Sequence, residues 1–255
     1  MHVAITGAAT GIGAEVVLKL KNQGHTITAF DLIEVNHSVD NFVHLDLSNN
    51  TSIEEALKNT NGPFDALINN AGIPPRDNTE QKILMVNYVG MKTFLDGMLS
   101  KLNHGASIVN TSSRAGSMWQ ENLKQVKRLM QLSASDLSKF VSSENIDPVR
   151  AYNLSKEAVN VLTMAKTEEL LAKGIRINSV CPAAVSTDIL QDFTNAFGEK
   201  VVKNIAKAGR PALPEEIADT ILYLISPESG WVKGQNITID GGMSAIITSD
   251  ILNLN

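Results

Sequence analysis

Short apolar runs rich in β-branched residues alternate along this chain with longer segments of helical period. His2–Thr6, His25–Phe30, Phe42–Leu45, Ala66–Asn69, Ser107–Thr111, Arg176–Val180 and Asn236–Ile239 read as strands. After the first of them, Val16, Val17 and Leu20 share one face of a helix expected from Gly13 to about Gly24. Further helices are expected from Ser52, over Thr79–Lys101, over Tyr152–Leu171 and over Pro214–Ile225. Ser52 and Glu55 have the spacing of a capping box, and Pro214 followed by two acids suits a helix start. In Met118–Pro148, Trp119, Leu123, Val126 and Met130 form one apolar stripe, with Lys124, Lys127 and Arg128 off it. That is an amphipathic helix, and Asp136–Val141 falls in a second. Strands alternating with helices imply parallel pairing through right-handed crossovers. The expected class is therefore α/β, a doubly wound parallel sheet flanked by helices. With no composition shift marking a linker and no repeat, residues 1–255 read as one domain.

Composition narrows the partners. Hydrophobic residues make up 43% and charged residues 19%, which excludes a disordered chain. A formal charge of −5 without long runs of one sign argues against nucleic acid or an anionic membrane as partner. Cys181 is the single cysteine, so no internal disulfide forms and no metal site rests on thiolates. No metal is expected. The N-terminus lacks a basic segment leading into an apolar one, and no apolar stretch reaches the ~18–20 residues that span a bilayer. A soluble, cytoplasmic protein is expected.

Three local patterns carry chemistry. Thr6-Gly7-Ala8-Ala9-Thr10-Gly11-Ile12-Gly13 sits between the first strand and the first helix. Its glycines let the backbone turn sharply and approach a pyrophosphate, which the helix N-terminus attracts through free N–H groups and its dipole. An ordinary tight turn uses the same residues, and the position after a first strand favours the nucleotide. Asp31 closes the second strand, where a carboxylate accepts both adenosine ribose hydroxyls and repels a 2′-phosphate. No Lys or Arg stands at positions 8–10 or 32–33 to welcome that phosphate, so the cofactor expected is NAD. Asp46, after the third strand, suits either the adenine amine or a solvated turn. Tyr152 and Lys156 lie four apart on one helix face, where a close ammonium stabilises a phenolate for acid–base work.

Taken together, these motifs resemble the short-chain dehydrogenase/reductase family. The resemblance rests on TGxxxGxG, Asn69-Asn70-Ala71-Gly72, Asn87, Ser112-Ser113, the Tyr152–Lys156 pair and Asp240-Gly241-Gly242, and covers nearly the whole chain. It implies a single Rossmann-like domain, a nicotinamide nucleotide and hydride exchange with an alcohol or carbonyl. By the same resemblance Tyr152 is the acid/base, Lys156 lowers its pKa and binds the nicotinamide ribose, and Ser113 bonds the substrate oxygen, with Ser112 as runner-up. Asn87 would support a water relay to the lysine. Thr6, Gly7, Gly11, Ile12 and Gly13, with Asp31, Asp46 and Leu47, would hold the nucleotide together with Asn69, Ala71, Gly72 and Thr187. Ile12 would pack near the nicotinamide.

Two departures from the family pattern bear on function. Pro182-Ala183 replaces the usual Pro-Gly, and alanine takes a positive φ less readily, which puts the turn before Thr187 in question. Ser113 and Tyr152 are separated by far more than a short loop, so Met118–Pro148 reads as a helical insertion. The same insertion occurs in bacterial 3α-hydroxysteroid dehydrogenase/carbonyl reductases and in coniferyl alcohol dehydrogenases. It either packs on the domain or roofs the pocket. Met118 and Trp119, then Ile189, Leu190, Phe193 and Phe197, and Ile246 from the tail, are expected around the reacting carbon. With no cationic cluster in view, the expected substrate is a largely apolar alcohol or carbonyl: an aromatic allylic alcohol such as coniferyl alcohol, or a 3α-hydroxysteroid. Extra helices beside the long ones favour a homodimer over a tetramer. Nucleotide-sugar epimerases share the Tyr–Lys pair but carry a sizeable C-terminal substrate domain. A non-catalytic NAD(H)-binding redox sensor is the alternative, although such sensors often lack the Tyr or Lys.

Overall fold

Seven strands form one fully parallel sheet in this computed structural model, which describes residues 1–35 and 39–254. The strands are β1 (His2–Thr6), β2 (Thr26–Asp31), β3 (Asn41–His44), β4 (Phe64–Asn69), β5 (Leu102–Thr111), β6 (Arg176–Pro182) and β7 (Asn236–Ile239). Their order in the sheet is β3-β2-β1-β4-β5-β6-β7. The chain runs outward from β1 to β3, then crosses back to β4 on the other side of β1. Loops from neighbouring strands therefore diverge at the carboxyl ends of β1 and β4, the crevice where open α/β sheets bind ligands.

The helices on the two faces are α1 (Gly11–Asn22), α2 (Asn50–Lys58), α3 (Glu80–Leu84), α4 (Met91–Met98), α5 (Leu123–Met130) and α6 (Leu137–Ser143). After them come α7 (Pro148–Ala165), α8 (Thr167–Leu171), α9 (Leu190–Phe197), α10 (Glu199–Ala208), α11 (Pro214–Ile225) and α12 (Met243–Leu252). One core layer joins Val16, Val17 and Leu20 of α1 to Ile217 and Ile221 of α11 beneath β1 and β4. The other packs Phe94, Leu95 and Met98 of α4 and Leu154, Ala158 and Leu162 of α7 on the opposite face. No helix among the described residues is long and apolar enough to cross a membrane.

Several boundaries differ from the sequence expectation for local reasons. The first helix starts at Gly11, two residues early, behind an extended Thr10. Asn49 caps α2 by accepting from the N–H groups of Thr51 and Ser52, so the Ser52–Glu55 capping box does not form. Ser52 Oγ instead accepts from Asp46 N at 2.9 Å. The helix expected over Thr79–Lys101 is broken by a π-helical turn, Met85–Gly90, between α3 and α4. A Cβ at Gly90 would lie 2.0 Å from Leu47 O, so helix and loop meet there backbone to backbone. The long helix predicted from Tyr152 begins at Pro148, with Asp147 accepting from Arg150 N at 2.7 Å, and ends at Ala165.

The insertion packs on the domain. Val126 and Leu129 of α5 and Leu137 and Phe140 of α6 are buried in the core layer beside α7. Trp119 stands before α5 and outside its stripe, because the helix starts at Leu123. A polar clamp adds to this packing. Glu157 of α7 is buried and accepts from both terminal nitrogens of Arg150, at 2.9 and 2.7 Å, and from Asn122 Nδ2 at 2.8 Å. Gln125 Oε1 accepts from Arg150 Nε at 2.8 Å, which completes the link to α5. Removing one partner of a buried charge pair strands the other. Glu157→Ala is expected to lower unfolding free energy by about 3–5 kcal/mol, measured by urea denaturation.

Candidate active site

A cleft of about 780 Å³ opens at the carboxyl ends of β1, β4, β5 and β6. Its floor starts at the glycine turn. A Cβ on Gly13 would lie 1.9 Å from Gly7 O, and one on Gly7 2.7 Å from Ala71 Cα, with Gly7 at φ +67°. Three backbone segments therefore touch without side chains between them. Asn70 Nδ2 donates to Gly7 O at 2.9 Å, and Thr6 Oγ1 accepts from the N–H groups of Asn70 and Ala71 at 3.1 Å each. The N-terminus of α1 has no side-chain cap and no acid in its first turn, and Gly11 and Ile12 line the cleft. Free N–H groups and a bare dipole fit the phosphates of a dinucleotide.

Along this side, Asp31, Asp46 and Leu47 line the cleft as expected, as do Gly7, Ala71 and Gly72. Asp31 Oδ2 accepts from Ala9 N at 2.9 Å and Oδ1 from Ile33 N at 3.2 Å, which fixes the carboxylate at the end of β2. Burial pushes the Asp46 carboxyl up, yet bonds from Ser48 and the Lys82 charge outweigh it and leave Asp46 below the usual range. Its Oδ1 is already engaged by Ser48 N at 2.8 Å and Ser48 Oγ at 2.6 Å. Thr187 also lines the cleft, with Cγ2 3.2 Å from where a Gly11 Cβ would stand. Ala183 is not among the described residues with positive φ, so the Pro182-Ala183 turn needs no glycine.

Four expected residues, Thr6, Gly13, Asn69 and Asn87, stand behind the wall instead of in it. Thr6 and Gly13 shape the turn from beneath. Asn69, expected to line the ribose side, points into the sheet and donates to Asn110 Oδ1 at 2.9 Å. Strand alternation sends successive side chains to opposite faces, so Asn70, which sequence reasoning passed over, takes the place in the cleft. Asn87 is buried in the π-helical turn, where Oδ1 accepts from Ile73 N at 2.8 Å and Nδ2 donates to Ile73 O at 3.0 Å. It anchors the segment that carries Gly72.

Tyr152, Lys156 and Ser113 meet on the far side. Ser112, the runner-up, is buried and donates to Lys156 O at 3.0 Å, leaving Ser113 as the more open hydroxyl of the two. Lys156 Nζ donates to Thr111 O at 2.9 Å and lies 5.8 Å from the centre of the Tyr152 ring. Burial drives the Tyr152 phenol up to about 12, and a hydrogen bond from Ser113 opposes it. Burial also brings the Lys156 ammonium down to about 8. In this arrangement burial sets the direction of both shifts. A dry pocket favours the neutral form of both groups, and the ammonium is engaged with a carbonyl.

Substrate-side walls correct the sequence reading in detail. Met118, Ile189, Phe193 and Phe197 line the cleft, whereas Trp119 and Leu190 do not. Phe193 and Phe197 meet Tyr152 edge-to-face, with ring centres 5.0 and 6.3 Å away. The roof therefore comes from α9 and α10, and the insertion contributes little beyond Met118. Ile247 replaces the expected Ile246, which is 40% exposed one position along α12. Lys82, Arg114 and Lys200 also border the cleft from three separate segments, a set of cations that spacing along the chain does not reveal. Arg114 Nε donates to Ser244 Oγ at 2.9 Å and sits 3.8 Å from Asp240.

Known proteins resemble the chain over nearly its whole length. Residues 1–125 match the model of the short chain dehydrogenases, and residues 122–244 match that described as enoyl-(acyl carrier protein) reductase. A coniferyl-alcohol dehydrogenase of Pseudomonas sp. is 32% identical over 246 residues, covering 95% of this chain and 96% of its own. The chain belongs to the short-chain dehydrogenase/reductase family. Another relative of this short-chain dehydrogenase is the 3-alpha-hydroxysteroid dehydrogenase/carbonyl reductase of Comamonas testosteroni. It is 28% identical over 259 residues, covering 96% of this chain and 97% of its own. Among solved structures, a 3-alpha-hydroxysteroid dehydrogenase from Pseudomonas sp. B-0831, complexed with NADH, superimposes with a TM-score of 0.84. Its identity is 29%, over 97% of this chain and 98% of that one. The oxidoreductase class of this short-chain dehydrogenase and its parallel-sheet fold follow from these likenesses.

Proposed function

We propose that the chain is an NAD-dependent oxidoreductase interconverting an alcohol and a carbonyl on a largely apolar substrate, either an aromatic allylic alcohol of the coniferyl type or a 3α-hydroxysteroid. The observation that carries this reading is Tyr152, with Ser113 and Lys156 beside it, under an aromatic roof at the end of a cleft floored by the glycine turn. That cleft accepts a dinucleotide because its floor is bare backbone and an uncapped helix start. Gly7, Gly11 and Ile12 would take the phosphates, Asp31 the adenosine ribose, and Lys156 the second ribose. A nicotinamide nucleotide bound there supplies the hydride chemistry.

The chain's own residues handle the proton and the substrate. With its pKa near 12, the Tyr152 phenol keeps its proton at neutral pH and is ready to donate it to a carbonyl oxygen. In the opposite direction the phenolate accepts the hydroxyl proton, and Ser113 orients the oxygen. Ile73, Val86, Met118, Phe193, Phe197 and Met243 offer mostly apolar contact, worth about 0.8 kcal/mol per buried CH₂. Assembly as a homodimer belongs to the same reading, since α6 packs on α3 and α5 on α7, covering part of their outer faces. A cytoplasmic location also goes with it, supported by the single, buried and unpaired Cys181.

Tyr152→Phe should remain folded and lose about 10²–10⁴-fold in kcat. In the wild type, kcat/KM for alcohol oxidation should rise with pH between 6 and 10, because the proton-free phenol is the working form. Carbonyl reduction should stay flat from pH 6 to 7, below the titration of the Lys156 ammonium at about 8, and a Tyr152→Phe variant with most of its activity would refute the mechanism. The ratio of kcat/KM for NAD over NADP should be at least about tenfold, since a 2′-phosphate would face the fixed Asp31 charge. Asp31→Ala should narrow that ratio, and an NADP preference in the wild type would overturn the assignment. Light scattering should give twice the mass of the 27.5 kDa chain, and a stable tetramer would contradict the dimer.

A further inference from the structure

Of the cations that border the cleft, Lys82 belongs to the nucleotide end, where its charge acts on Asp46. Arg114 directly follows Ser113, and Lys200 lies just beyond Phe197 of the roof. Arg114 is half-buried and held at one atom, its Nε, which donates to Ser244 Oγ at 2.9 Å and sits 3.8 Å from Asp240 Oδ2. Asp240 is itself engaged, with Oδ1 accepting from Gly242 N at 3.1 Å and Oδ2 from Ser244 N at 2.8 Å. The terminal nitrogens of Arg114 donate to nothing among the described residues, and neither is sealed from the surface. Of the lysines of α10, Lys203 and Lys207 pair with Glu199 and Asp250, at 3.0 and 2.9 Å. The exposed Lys200 has no ion pair among the described residues.

Sheet order shows which ligand Arg114 meets. Asp31 ends β2 and the glycine turn follows β1, whereas Arg114 lies beyond β5. With strands about 4.8 Å apart, β5 is roughly 14 Å from β2 and roughly 10 Å from β1. Nε is drawn farther still, toward Asp240 and Ser244 past the end of β7. The phosphates proposed for the glycine turn and the ribose proposed for Asp31 are therefore away from this guanidinium, and its partner is the substrate. A guanidinium anchored through Nε presents its terminal N–H groups as a fork that fits the two oxygens of a carboxylate. Two positive charges, Arg114 and Lys200, face the single negative charge of Asp240, a balance that suits a monoanion better than a phosphate dianion. Asp188 borders the cleft beside Thr187, which packs at Gly11 on the nucleotide side, and Asp192 is held by Arg76 at 2.8 Å. We propose that the substrate carries a carboxylate on its apolar body, bound by Arg114 Nη1 and Nη2 with Lys200 adding charge. The reacting oxygen stays with Tyr152 and Ser113, so the carboxylate is a second group elsewhere on the molecule. This narrows the substrate of the alcohol/carbonyl reading above and rests on it.

The test compares carboxylates with their primary carboxamides, which have nearly the same shape without the charge. Cinnamyl alcohol bearing either group at ring position 3 or 4, and 3α-hydroxyandrostane bearing it at position 17β, are the substrates. The best carboxylate should exceed its amide about tenfold to a hundredfold in kcat/KM with the wild type, since only the carboxylate makes charge-assisted bonds to the fork. Arg114→Gln should bring that ratio close to one, and Arg114→Lys, which keeps the charge without the fork, should leave it in between. Lys200→Gln should lower it about twofold, as befits an exposed charge. Raising NaCl from about 0.05 to about 0.5 M should shrink the wild-type ratio. The ratio is the readout because a disturbed fold or a disturbed Tyr152 slows both partners alike. A carboxylate no better than its amide in every pair, or a ratio unchanged in Arg114→Gln, overturns the proposal. Binding without turnover separates this role from the reaction it rests on. 4-Propylbenzoate and 4-propylbenzamide are titrated calorimetrically into the wild type and Arg114→Gln in the presence of NADH. If no alcohol is oxidised but the wild type alone prefers the benzoate, the reaction class falls and the anion site stands. If the alcohols react without preference and the benzoate binds no better than the benzamide, the anion site falls and the reaction class stands.

Discussion

Close backbone contact at the carboxyl end of β1 is the constraint on which the rest of this structure depends. Gly13 stands against the carbonyl of Gly7, and Gly7 against the backbone of Ala71, at separations that no Cβ tolerates. Because these segments touch directly, the start of α1, the end of β1 and the loop after β4 form one surface. Asn70 and Thr6 hold it with hydrogen bonds to backbone atoms. Free helix N–H groups are thereby presented to the cleft without a competing carboxylate. Any side chain at Gly13 would push the turn outward and close the space that a pyrophosphate needs.

A second constraint is dryness. Phe193 and Phe197 press edge-on against Tyr152, and the phenol and Lys156 are both buried beneath them. Removal from water disfavours the charged form of each, which raises the tyrosine and lowers the lysine. Lys156 keeps a partner in the carbonyl of Thr111, so its position is set by the end of β5 as much as by its helix. Supporting residues act through backbone: Asn87 pins Ile73, and Ser112 pins the carbonyl of Lys156.

The insertion shows how an apolar stripe can be read correctly for packing and wrongly for place. Val126 and Leu129 bury themselves beside α7, and Glu157 ties Arg150 and Asn122 into the same seam. Once that face is satisfied, α5 has no apolar side left for a pocket. The roof falls to α9 and α10, linked to the loop after β4 by the pair Arg76–Asp192 at 2.8 Å.

Alternation of strand and helix periods was enough to determine a doubly wound parallel sheet, because each period buries a face that only the other element can cover. The glycine turn, Asp31 and the Tyr152–Lys156 pair were legible too, since each is a local pattern within one turn or one helix. Tertiary structure decided what depends on contacts distant in sequence. A π-helical turn ending at Gly90, where the chain meets Leu47, interrupts a helix that periodicity predicted whole, and Asn49 caps α2 while Ser52 serves Asp46. It put Asn70 in the cleft in place of Asn69 and drew Lys82, Arg114 and Lys200 to one rim from three segments. Burial and pairing are properties of the packed chain, and no spacing of residues along the sequence encodes them by itself.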